Sequence, residues 1–134
     1  MLKLPASPDE VLREVIVPAL GLLPTKMDTP EARVLLLAIL MQESGLAHRR
    51  QQPAGPAKGL AQFEPIAVLD VLARFQLMRS VCVQRGIRQP VDPQEVHAAL
   101  EHDDVLAAAL ARVRLWLHPA SLPAVGATAE AWQY

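Results

Sequence analysis

The chain has 134 residues, 51% of them apolar and only 4% aromatic, with a formal net charge of -1. That length supports a single core burying roughly two-thirds of the unfolded surface, so no disulfide or metal staple is required. A charge so close to zero excludes the basic face on which binding to a phosphate backbone depends, and no nucleic-acid partner is expected.

The apolar set is dominated by Leu, Ala and Val, which favours packed helices over strand sandwiches. The expectation is one all-α domain over residues 1–134. The first ten residues lack the apolar stretch of a signal peptide, which predicts synthesis in the cytoplasm. Ser7-Pro8, Thr29-Pro30 and Asp92-Pro93 each place a capping residue before a proline suited to the first helical position. Ser7 with Glu10, and Asp92 with Glu95, add the spacing of a capping box.

The first helix is expected from about Pro8 to about Leu22, kinked or interrupted at Pro18. The second runs from Pro30 to about Ser44, where Gly45 stops it. Its unbroken Val34 to Met41 run is apolar on all sides, as in a central helix wrapped by others. The same run is the longest apolar one and far too short to span a bilayer, so no stable membrane insertion is expected.

From Gly45 to Lys58 the composition turns polar, with His48, Arg49, Arg50, Pro53, Gly55 and Pro56, which predicts a long ordered loop or a small irregular subdomain. A helix starts near Pro65 with Val68, Leu69, Leu72 and Phe75 inward, and a further piece covers Met78 to Arg85. The lone Cys82 sits in an apolar run and reads as a buried, inert thiol. A short helix from Pro93 to about Leu100 precedes a last one from Asp103 or Asp104 to about Leu117, with Leu106, Leu110, Val113 and Leu117 at helical spacing and Trp116 also in the core. A final helix after Thr128 is expected to contain Trp132 and Tyr134.

Chemistry concentrates where the second helix ends. Three, four and seven residues before Glu43 stand Leu40, Ile39 and Leu36, so the carboxylate continues an apolar stripe and is expected to be buried. Burial and the negative end of the helix dipole both disfavour an anion, predicting a protonated Glu43 suited to general acid catalysis.

Gln42-Glu43-Ser44-Gly45, followed by Gly59-Leu60-Ala61-Gln62-Phe63, resembles the Glu-Ser-Gly and Gly-Leu-Met-Gln motifs of the lysozyme-like superfamily, especially lytic transglycosylases and phage peptidoglycan-degrading proteins. The 16 residues separating Glu43 from Gly59 are similar too. The resemblance implies a lysozyme-like orthogonal helical domain that cleaves the bond between N-acetylmuramic acid and N-acetylglucosamine. Glu43 would be the acid, Ser44 its support and Gln62 a lining residue of the sugar cleft, with no cofactor. Ala61 stands where Met is usual, and no Ala-Tyr-Asn motif follows, so hydrolysis and transglycosylation both stay open.

Glu64 precedes Pro65 without being a good cap. It is either an anionic partner to Glu43, as hydrolytic glycosidases need, or a solvated or Arg-paired side chain. Phe63 joins the expected cleft lining. His48 and Arg49 either meet carboxylates of a peptidoglycan strand or form a solvated turn. Trp132 and Tyr134 either cover a sugar groove or anchor the tail. His97, His102 and His118 show no metal-ligand spacing. Bacterial peptidoglycan is thus the expected partner at the cell wall, with delivery by a phage particle and its other virion proteins. The competing expectation is a catalytically silent structural or wall-binding component of such a particle.

Overall fold

Proline opens four of the helices, each time at a position where its missing N–H has no intrahelical partner to lose. In this computed structural model, which describes residues 2–117, α1 covers residues 8–20 and α2 is Pro30–Ser44. After the long loop come α3 (Pro65–Arg74), α4 (Leu77–Gln84), α5 (Pro93–Ala99) and α6 (Asp104–Trp116). Among the described residues the architecture is all-helical, with two isolated β-bridges and no strand.

The expected capping residues all cap, but Asp92 accepts from the Gln94 N–H at 3.0 Å and forms no box with Glu95. Ser7 and Glu10 make a reciprocal capping box, with both bonds at 3.1 Å. Thr29 Oγ1 accepts from the Ala32 N–H at 3.0 Å, and Asp103 accepts from Leu106 at the same distance. Gly45 ends α2 in the left-handed conformation. Around Pro18 the regular α-helix is interrupted, one of the two outcomes expected. The turn before it, Leu12–Ile16, widens into a π-helix in which Val17 N–H reaches back five residues to Leu12, and the chain resumes as Val17–Leu20. A wide turn beside a residue that cannot donate a helical bond keeps α1 continuous.

The centre of the fold is α6, not α2. Every residue from Leu106 to Val113 is buried, and α6 packs against α1, α2, α3 and α4. Ala107, Ala108, Ala109 and Ala111 make it thin enough for neighbours to approach from several sides. Buried among them is Arg112, whose Nε donates to the Met27 carbonyl at 2.7 Å. Its burial pulls the guanidinium below its usual pKa.

By contrast α2 buries one stripe, Ala32, Leu35, Leu36, Leu40 and Ser44, while Val34 and Met41 are exposed. Two other inward assignments change. Leu69 is exposed while Val71 is buried, and Trp116 lies at the surface with Lys26 and Arg112 against its ring. Cys82 is fully buried, and desolvation pushes its thiol up to about 11. Among the described residues no helix is long and apolar enough to cross a membrane. The expected helix after Thr128, with Trp132 and Tyr134, lies outside the described residues.

Candidate functional site

The C-terminal end of α2 is shaped by two successive left-handed residues, Gly45 (φ 62°) and Leu46 (φ 55°). For leucine that conformation costs about 1–2 kcal/mol, and three contacts hold it. The Leu46 side chain enters the core, its carbonyl accepts from the Ala6 N–H at 3.0 Å, and its own N–H donates to Ser44 Oγ at 3.3 Å. Ser44 Oγ in turn donates to the Leu40 carbonyl at 2.8 Å. Ser44 is therefore buried in the backbone of the turn, where it fixes the chain leaving Glu43.

The loop after this turn is ordered at its base. Gln51 N–H donates to the Ala57 carbonyl and Gly59 N–H to the Arg49 carbonyl, while Lys58 and Phe63 exchange both backbone bonds at 3.0 Å. Three short extended segments thus lie side by side, which is the small irregular subdomain foreseen between Gly45 and Lys58. The closing turn, residues 59–62, depends on Gly59 and Gln62, both at positive φ. A Cβ on Gly59 would lie 2.9 Å from the Leu100 carbonyl oxygen, so the turn is pressed against the start of α6 and the end of α5. Gln62 donates both its backbone N–H and its side-chain amide to the Gly59 carbonyl, at 3.0 and 2.8 Å.

These two pieces of chain meet at two adjoining hollows that share Glu43 and Gln62 as a common wall and together form the groove. Glu43 and Gln62 line both of its halves. One half is a hollow of about 250 Å³ walled by Ile39, Ala61, Phe63, Ala111 and Leu115, with Arg114 at its edge. The other is polar, lined by Gln42, Ser44, His48, Gln51, Gln52 and Glu64. The motifs at the two ends of the loop are thus joined in space.

Glu43 is exposed, which overturns the expected burial. The buried row runs Leu36, Leu40, Ser44 instead, and Ile39 is only half-buried. Glu43 is thus open to water rather than enclosed by the core. Among the described residues it also makes no ion pair, so no arginine locks it against the groove wall.

Glu64 is exposed at the N-cap of α3, and its side chain makes no capping bond. It lines the polar half together with Glu43, and its exposure matches the solvated alternative. Phe63 is buried under the hollow, its carbonyl accepting from His97 Nε2 at 3.0 Å. His48 is exposed on the polar half.

Arg49 departs from its expected place beside substrate. Its guanidinium makes a two-pronged pair with Asp104 at 2.7 and 2.8 Å and also donates to the Leu2 carbonyl. The pair is mostly shielded from water, and the bond to Asp104 raises the Arg49 pKa. Arg49 pins the loop to the N-terminus of α6. Arg50 is likewise held by Glu101 at 2.6 Å, which lowers the Glu101 pKa. No signal in the sequence marked Arg114 as a groove residue. It comes from the last turn of α6, 51 positions beyond Phe63 at the end of the second motif.

The chain matches no family model, no curated protein and no solved structure. Its likeness to lysozyme-like proteins therefore rests on Glu43-Ser44-Gly45 and Gly59-Leu60-Ala61-Gln62. The groove that brings Glu43 and Gln62 together is an independent observation.

Proposed function

We propose that this protein is a lysozyme-like glycosidase that cleaves β-1,4 bonds between N-acetylmuramic acid and N-acetylglucosamine in bacterial peptidoglycan. The observation that carries the reading is the shared lining. Glu43 and Gln62, from motifs at opposite ends of a long loop, both line two adjoining hollows, one apolar and one polar. Apolar surface with a few convergent polar groups suits a sugar, which has hydroxyls at its rim and C–H faces above and below.

In this mechanism a strand laid along the groove covers Glu43 and takes its carboxyl out of water. That desolvation disfavours the anion when the leaving oxygen needs a proton. Glu43 then donates that proton. Glu64 on the polar half is the candidate second carboxylate for a hydrolytic route, serving as base or nucleophile according to its separation from Glu43. Gln62 positions the sugar, and His48 lines its path. The phage origin and delivery to the cell wall belong to the same proposal.

The exposure of Glu43 favours a second reading, in which the fold serves as a non-catalytic wall-binding component of a phage particle. Turbidity loss of purified peptidoglycan separates the two. The glycosidase reading expects lysis by wild type and its loss in Glu43→Gln. Lysis by the variant at the wild-type rate would reject Glu43 as the acid, and binding without lysis by wild type would favour the second reading. Mass analysis of products assigns the route, with 1,6-anhydro ends for transglycosylation and reducing ends for hydrolysis. A Glu64→Gln variant with full activity removes Glu64 from the chemistry.

A further inference from the structure

The hollow beside Glu43 holds a cation that no acid of the described fold neutralises. Seven arginines, at 13, 33, 49, 50, 74, 85 and 88, pair with carboxylates. Arg79 and Arg112 donate to backbone carbonyls. Arg114 is exposed at the groove edge and has neither kind of partner among the described residues. Its guanidinium lies 5.7 Å from the centroid of the Phe63 ring. That ring is anchored, because Phe63 is buried and its backbone is tied to Lys58 and His97. A cation resting on a fixed aromatic face is held in place while its N–H groups stay available.

We propose that Arg114 is a specificity-determining residue of this groove, binding a carboxylate carried by the glycan. The inference rests on the glycan reading above and narrows it. The hollow would take sugars bearing an acid, either the lactyl carboxylate of a muramic residue or a carboxylate of its peptide stem, over neutral N-acetylglucosamine polymers. The chemistry is the two-pronged bond of a planar guanidinium with a carboxylate. The neighbouring apolar side chains of Ile39, Ala61 and Leu115 strengthen it by excluding water.

The test uses three probes and amide chemical shifts of the full chain: N-acetylglucosamine, N-acetylmuramic acid with its free lactyl carboxylate, and muramyl dipeptide, whose carboxylate sits on the peptide. At least one acidic probe should shift Gln62, Phe63 and Leu115 saturably, with an affinity about tenfold above the neutral sugar, as one charged hydrogen-bonding group supplies. Whichever acidic probe binds tighter identifies the source. Arg114→Gln should erase the advantage and Arg114→Lys should retain part of it. Equal affinity of wild type and Arg114→Gln for both acidic probes, or the absence of saturable shifts in this hollow, overturns the proposal. The outcome is independent of turnover. A protein that never lyses peptidoglycan yet shows Arg114-dependent binding loses the glycosidase reading and keeps this one.

Discussion

Replacing Gly59 with alanine tests the local architecture that presents Gln62. The residue has φ 81°, and the added Cβ would meet the Leu100 carbonyl oxygen at 2.9 Å, Leu100 Cβ at 3.1 Å and Ala107 Cβ at 3.2 Å. A non-glycine residue at such a φ costs about 1–2 kcal/mol. Crowding against backbone and a packed core adds about 1–3 kcal/mol, because neither the α5 end nor the central α6 can retreat without moving its own contacts. The sum, about 2–5 kcal/mol, is a large share of the roughly 5–15 kcal/mol typical of a domain.

Gly45 supplies the control. Its φ is 62°, yet nothing lies within 4 Å of a Cβ built there, so Gly45→Ala carries the conformational cost alone. Urea denaturation of both variants, followed by circular dichroism, reads the difference directly. Gly59→Ala should lose at least about 1 kcal/mol more than Gly45→Ala. Equal losses would refute the claim that the turn is jammed against α6.

Three further outcomes follow from the packing. Arg49→Leu leaves Asp104 charged in a poorly solvated place and should cost about 2–4 kcal/mol in denaturant titration, with binding of N-acetylmuramic acid unchanged; a near-neutral effect on stability would deny Arg49 its anchoring role. The Arg33 guanidinium holds the Asp28 pKa below its ordinary value. That pair contributes fully above the unfolded Asp value of about 3.9 and is lost as pH falls through the lower folded value, so Asp28→Asn should flatten the acid limb of stability against pH. An unchanged limb argues against the pair. Cys82, with its thiol near 11 and no exposure, should resist a disulfide reagent at pH 8 until the chain unfolds. Labelling as fast as that of a free thiol would contradict its burial.

Much of the fold is legible because the chain marks helix ends chemically. Ser7, Thr29, Asp92 and Asp103 cap helices, and Gly45 stops α2, each by a local bond or a backbone angle that one side chain decides. The phase of α2 is another matter. A helix apolar on every side gives no polar face to orient it, so Glu43 and Ser44 are equally good continuations of the stripe from Leu36 and Leu40. In the folded chain Ser44 turns inward, bonded to the Leu40 carbonyl and the Leu46 N–H, and Glu43 lies at the groove. The same ambiguity affects Leu69 and Val71, where apolar residues are too dense for spacing to single out the inner row. Adjacency of Glu43 and Gln62 was readable from the motifs, whereas Arg49 and Arg114 required knowing where α6 runs.

The loop that walls the polar half is fastened low and bare at its crest. Arg49, Gln51, Ala57 and Gly59 tie its foot, while residues 52–56 are exposed. Lengthening a loop at such a point costs only about 0.6 kcal/mol per doubling. The crest is therefore a handle: a dye, an affinity tag or a few grafted residues placed between Ala54 and Gly55 would raise the parapet of the groove without loosening its foundations.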